Sequence, residues 1–187
     1  SLGGNANCST FEQAAIDFVL NNSSTLIVAA AGNSAQYGEQ VPFAPANCNG
    51  VISVGASTTR FGDASYSNVS PALVTSTLGG EPSVGDNLPL TEPSMLRSLN
   101  GVSFASGTSF STPLVSAVLA TALRLGLNDG VTSTSLIQSL KSTGHEFQDP
   151  ESYCVQIADP VNNPKPCGTI LNTSAFLLAV TGVDISA

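Results

Sequence analysis

With 187 residues, 42% of them hydrophobic and only 10% charged, the chain is long enough for one domain with a substantial core. Its net charge of −8, from 13 acidic and 5 basic side chains, repels phosphate backbones and excludes nucleic acid as a natural partner. No apolar run approaches the ~20 residues that span a bilayer, and no basic-then-apolar leader opens the sequence. A soluble protein is expected, leaderless or already processed.

Thr10 to Asn22 carries Phe11, Ala14, Ala15, Phe18 and Val19 at helical spacing, with Ser9 or Thr10 as the N-cap. Thr25 to Ala31 is a continuous apolar run ended by Gly32, which predicts a strand buried on both faces. Val51 to Ala56 predicts a second such strand. Residues 79–100, rich in Gly, Pro, Ser and Asn, read as a long surface loop. Val102 to Ala105 predicts a short strand, and Pro113 to Leu127 a largely apolar helix with Gly126 near its end. Thr132 to Ser142 predicts an amphipathic helix and Ser174 to Val180 a last one. Helices alternating with buried strands imply an α/β fold with a parallel sheet and right-handed crossovers.

The four cysteines are Cys8, Cys48, Cys154 and Cys167. In an acidic, lysine-poor chain an even count suggests disulfides and an oxidising compartment. Four reduced core cysteines are the competing reading. None sits in a Cys-x-x-Cys pair, and the single histidine cannot complete a usual zinc site.

The chemistry concentrates in Gly107-Thr108-Ser109-Phe110-Ser111-Thr112-Pro113, which runs into the apolar helix. It places the Ser109 hydroxyl at a helix start, where free N–H groups and the helix dipole favour negative charge. A nucleophilic serine needs that environment as its substrate's carbonyl becomes an oxyanion. Taken alone, Gly-Thr-Ser before a helix is usually an N-cap, and Asn33 after a strand is usually a turn residue. Such a serine also needs a base. His145 lies downstream in a loop, where a surface histidine is the expectation. Asp63, Asp149 and Asp159 read as turn residues.

In their order, these segments resemble the subtilisin-like serine proteases. Gly107 to Pro113 resembles the nucleophile motif, and Val28-Ala29-Ala30-Ala31-Gly32-Asn33-Ser34 the strand and asparagine of the oxyanion hole. Ser1-Leu2-Gly3-Gly4 resembles the substrate-binding strand, Val51 to Ala56 the following buried strand, and Ser65-Tyr66-Ser67-Asn68 the next turn. Pro45-Ala46-Asn47-Cys48 and the Cys167 to Asn172 ending resemble secreted bacterial members. The resemblance implies a parallel-sheet, three-layer α/β fold, with residues 1–187 as the C-terminal portion of one catalytic domain. It implies Ser109 as the acyl-accepting nucleophile and Asn33 as an oxyanion donor. Ser1, Leu2 and Gly3 would pair with the substrate backbone. Ala30, Ala31 and Gly32 would line the pocket for the residue before the cleaved bond, with Phe43 as the candidate for a floor that favours apolar or aromatic side chains. Cys8 would pair with Cys48, and Cys154 with Cys167, in a secreted protein. No cofactor is required. Family members often bind calcium, but no EF-hand type cluster of oxygen ligands is visible to place it.

The departures matter as much. In the family the acid and base precede the asparagine, and this sequence opens at the substrate-binding strand. The expected partner is therefore an N-terminal fragment of the same protease, carrying Asp and His, held non-covalently after a maturation cut or lying beyond a sequence boundary. By itself the chain should be inert. The helix after the nucleophile reads Pro-Leu-Val-Ser-Ala where many relatives place a histidine second, and the 79–100 stretch replaces a shorter turn. A peptide or protein is the expected substrate. A non-catalytic, subtilase-like peptide-binding module is the alternative. A small-molecule α/β domain is disfavoured, because Gly-x-Gly-x-x-Gly and the P-loop are both missing.

Overall fold

The computed structural model describes residues 3–35, 41–82, 88–91, 102–159, 161–162 and 166–186. The first helix, α1 (Thr10–Asn22), starts where the sequence predicts. Ser9 is its N-cap. The Ser9 hydroxyl accepts from the Glu12 N–H at 3.1 Å, and the Glu12 carboxylate accepts from the Ser9 N–H at 2.9 Å. This reciprocal box satisfies donors that a helix start leaves open. Ser9→Ala is expected to cost about 1 kcal/mol, read as a lower denaturation midpoint at unchanged slope. The apolar stripe that predicts α1 faces outward: Phe11 is 83% exposed and Phe18 69%. Ile16 faces inward instead, against Ala29, Ala46 and Val51.

Three parallel strands, β1 (Val28–Ala30), β2 (Ile52–Ser57) and β3 (Thr75–Leu78), form a sheet in that order. Val28 pairs with Ile52 and Val54 with Thr75. β3 carries Thr-Ser-Thr-Leu and escapes an apolar-run search, yet Thr75 and Ser76 are fully buried. Leu88–Thr91 (β4) lies inside the stretch read as loop, and it is a strand. The predicted strand Val102–Ala105 (β5) does form, but it pairs antiparallel with β4 and stays out of the parallel sheet.

Successive residues of β2 face opposite layers. Ile52 and Val54 pack against Val115 and Leu119 of α2 (Thr108–Leu125), Leu136 and Leu140 of α3 (Ser133–Thr143), and Phe176 and Leu177 of the last helix, α5 (Thr173–Thr181). Val51 joins the α1 cluster on the other side. Helix, sheet and helix make the three layers expected. Helix α2 begins at Thr108 rather than Pro113, so Pro113 sits in its second turn and removes one ladder bond. Disulfides join Cys8 to Cys48 and Cys154, in the short α4 (Tyr153–Gln156), to Cys167, as the resemblance implies; no cysteine is free. Among the described residues, no helix is long and apolar enough to cross a membrane.

Candidate active site

β1 delivers Ala31, Gly32 and Asn33 at its C-terminal end, and α2 delivers Thr108 and Ser109 at its start. The two are tied together. Asn33 Oδ1 accepts from the Thr108 backbone N–H at 2.9 Å and from the Thr108 hydroxyl at 2.8 Å. A backbone N–H can only donate, so the carboxamide atom facing it must be the oxygen. Asn33 Nδ2 is thereby turned the other way, 3.2 Å from where a Cβ on Gly107 would sit. Thr108 Oγ1 also accepts from the Gly32 N–H at 3.3 Å. Ser109, in the first turn of α2, and Asn33 are both exposed residues.

The turn that carries Ser109 is pinned from below. The Gly79 carbonyl accepts from the Gly107 N–H at 2.9 Å and from the buried Tyr66 hydroxyl at 2.7 Å. Ser111 donates its hydroxyl to the Thr77 carbonyl at 3.0 Å. Gly79 has to be glycine, because a Cβ there would lie 2.5 Å from Ala56 Cβ and 2.7 Å from Ser111 Oγ. Gly107 adopts φ +153°, a conformation that side chains rarely take. Asn68 braces the other half: its Oδ1 accepts from Ser34 N–H at 2.7 Å, and its own N–H donates to the Gly32 carbonyl at 3.0 Å. Sequence reasoning singles out Ser109, Asn33 and the Ser65–Asn68 turn. It misses the holding roles of Thr108, Tyr66 and Ser111, whose only sequence signal is their place inside those motifs.

A wall of small residues lies beside Asn33. Ala30 and Ala31 are buried, and Gly3 comes close enough that a Cβ on it would meet the Ala30 carbonyl at 3.6 Å. Phe43 donates its N–H to the Ala31 carbonyl at 2.9 Å, and its ring is so close to Gly32 that a Cβ there would lie 2.8 Å from Cδ2. The structure thus gathers Gly3, Ala30, Ala31, Gly32 and Phe43. Ser1 and Leu2 lie outside the described residues.

His145 is elsewhere. Its backbone bridges Ile170, which bridges Ser76 of β3, so four strand spacings separate it from β1. At about 4.8 Å each, that is about 19 Å. Its ring meets Phe61 edge-on at 5.6 Å and borders a cavity of about 370 Å³ that neither Ser109 nor Asn33 lines. Asp149 pairs with Arg60 at 3.2 Å, and Asp159 accepts from Val161 N–H at 2.9 Å within a turn. Among the described residues, no group of three or more His, Cys, Asp or Glu could hold a metal ion.

Asp63 is a carboxylate whose pKa is raised. Burial raises its pKa above 3.8, partly offset by the hydrogen bond that it accepts from Cys154 N–H at 2.9 Å, while nearby Glu81 adds to the rise. The folded state therefore holds the proton to higher pH than the unfolded chain does. Stability contributed by this group is present below about pH 4 and lost as pH rises through the raised value. Asp63→Asn keeps the acceptor for Cys154. It is expected to raise stability at neutral pH and to flatten the decline above about pH 4, measured by denaturation across a pH series.

A parallel sheet between helix layers, with a serine turn and a carboxamide at its strand ends, defines an α/β protein whose site lies at the carboxyl edge of the sheet. The profile of the Subtilase family matches residues 1–154, and the chain belongs to that family. It is 35% identical over 122 residues to the "Extracellular protease" of Xanthomonas campestris pv. campestris, covering 64% of this chain and 20% of that protein. It is 34% identical over 134 residues to the "Extracellular basic protease" of Dichelobacter nodosus, covering 72% of this chain and 21% of that protein. The chain thus spans about a fifth of the length of these relatives. Among solved structures, a protease from Pseudoalteromonas arctica superposes with a TM-score of 0.67 at 27% identity, over 95% of this chain and 49% of that one. The patellamide maturation protease PatA shares the fold, with a TM-score of 0.69 at 22% identity over 96% of this chain and 61% of its own.

Proposed function

We propose that this chain supplies the nucleophile and the oxyanion hole of a secreted serine endopeptidase. The observation that carries the reading is the pair of hydrogen bonds from Thr108 to Asn33, which fixes the carboxamide beside the Gly107 turn with Nδ2 near Gly107. In this mechanism Ser109 Oγ attacks the peptide carbonyl while an imidazole takes its proton. The carbonyl oxygen, now negative, accepts from Asn33 Nδ2 and the Ser109 N–H. The imidazole then protonates the departing amine, and water releases the acyl group from Ser109. His145 packs on Phe61 and lines a cavity that neither Ser109 nor Asn33 borders, so that imidazole is a different one. The histidine and its aspartate come from polypeptide outside residues 1–187, in the same precursor or in a fragment separated by maturation. Without it the chain is inert. The substrate lies as a strand along Ser1–Gly3, its apolar or aromatic side chain entering the small-residue pocket floored by Phe43. Two disulfides and the extracellular relatives support secretion.

The second reading, a non-catalytic peptide-binding module, draws on the place of His145 at a cavity that neither Ser109 nor Asn33 lines. A fluorophosphonate probe separates the two in protein purified from its natural source with any polypeptide that travels with it. Labelling at Ser109 is expected. Absence of labelling, with a histidine-bearing partner shown to be present, favours the binding module.

A further inference from the structure

Another cavity, of about 400 Å³, has no role in the chemistry just described. Near neighbours of three residues that build the site line it. Ala35 follows Asn33 by two positions, Ser65 precedes Tyr66, and Glu81 follows Gly79 by two. Two residues of chain reach at most about 7 Å, so the cavity adjoins the place where Asn33 and the Ser109 turn meet. Its charge is one-sided. Among the described residues that line it are the carboxylates of Asp63, Glu81, Asp149 and Glu151 and a single cation, Arg60. Arg60 is already committed, to Asp149 at 3.2 Å and to Glu151 at 3.6 Å.

Two further features point to a group that enters. Glu81 is 5% exposed and Asp63 half-buried, so both carboxylates have given up much of their water. Ser152, 7% exposed, also lines the cavity; its side chain reaches toward Asp63, yet its hydroxyl completes no hydrogen bond. A buried hydroxyl without a partner is costly, and a donor brought by a ligand would satisfy it. We infer that this cavity receives the basic side chain of a peptide substrate, a lysine ammonium or an arginine guanidinium, held by Asp63 and Glu81. Naming the substrate as its source rests on the function proposed above. A metal ion is the poorer fit, since it needs several oxygens at one point and no such group converges among the described residues. A guanidinium carries its donors in a wide fork and reads carboxylates that stand apart. Ala30, Ala31, Gly32 and Phe43 do not line this cavity, so the basic residue is not the one before the cleaved bond.

The test uses the protein expressed from its complete precursor with Ser109→Ala, so that bound peptides stay intact. Peptides with one arginine at successive positions are titrated beside the same peptides with citrulline, which keeps the shape of arginine without its charge. At one position, other than the residue before the scissile bond, arginine is expected to bind about tenfold tighter at low salt. The advantage should shrink as salt rises. Asp63→Asn with Glu81→Gln keeps acceptors for the Cys154 and Ser65 N–H groups and should bring the ratio close to one. Thermal denaturation reports whether that double variant is folded. Asp63→Asn alone, expected above to be the more stable form at neutral pH, should lower the ratio about threefold or more and carries the test if the pair is not. Equal binding of arginine and citrulline at every position, or no binding of any peptide, overturns the inference. So does a preference that survives the substitutions, or arginine amide alone binding as tightly as the peptide. Fluorophosphonate labelling of the parent is read separately: labelling without an arginine preference sinks only this inference, and the preference without labelling sinks only the hydrolysis.

Discussion

Ser109→Ala is expected to abolish peptide hydrolysis by the assembled protein, with a loss in turnover of about 10⁶-fold, by analogy with removal of the nucleophile in subtilisin. Fluorophosphonate labelling should vanish with it. The substitution removes one exposed hydroxyl at a helix start and leaves the Thr108–Asn33 and Gly107–Gly79 bonds in place. Thermal stability should therefore stay within about 0.5 kcal/mol of the parent, as for ordinary surface substitutions. Residual turnover within about tenfold of the parent would remove Ser109 from the chemistry.

Asn33→Ala is expected to lower kcat by about 10²–10³ with little change in KM, the loss that follows removal of the corresponding donor in subtilisin. Two functions would be lost together here, since Oδ1 anchors Thr108 and Nδ2 is the proposed oxyanion donor. Asn33→Asp separates them. The aspartate keeps an acceptor for Thr108 but has no donor and adds negative charge beside the developing oxyanion. Its kcat should fall at least as far as that of the alanine variant. An Asn33→Asp enzyme with near-parent kcat would show that anchoring Thr108, rather than donation, is the contribution of this side chain.

Why is such a site legible in a bare sequence? Its groups sit at the ends of strong local patterns: an apolar run closed by Gly32, and a Gly-Thr-Ser entering an apolar helix. Both patterns are set by near-neighbour chemistry, which a sequence displays directly. β3 is not legible, because Thr75 and Ser76 are polar residues buried by pairing with β2 and bridging to Ile170. β4 is hidden for a related reason, lying in a proline- and glycine-rich stretch and formed by pairing with β5. The start of α2 reads five residues late, since Pro113 looks like a first-turn proline but falls in the second turn, after a start at Thr108. The direction of the α1 stripe is equally beyond reach. Helical spacing reveals a face, but not what that face meets.

The bond between Thr108 and Asn33 spans 75 positions of sequence. Closing so long a loop costs entropy before any contact repays it, so the proposed oxyanion site assembles only once sheet and helices have come together. Until then the serine is an ordinary alcohol. A nascent or partly unravelled molecule is chemically harmless to its neighbours, with topology acting as a safety catch.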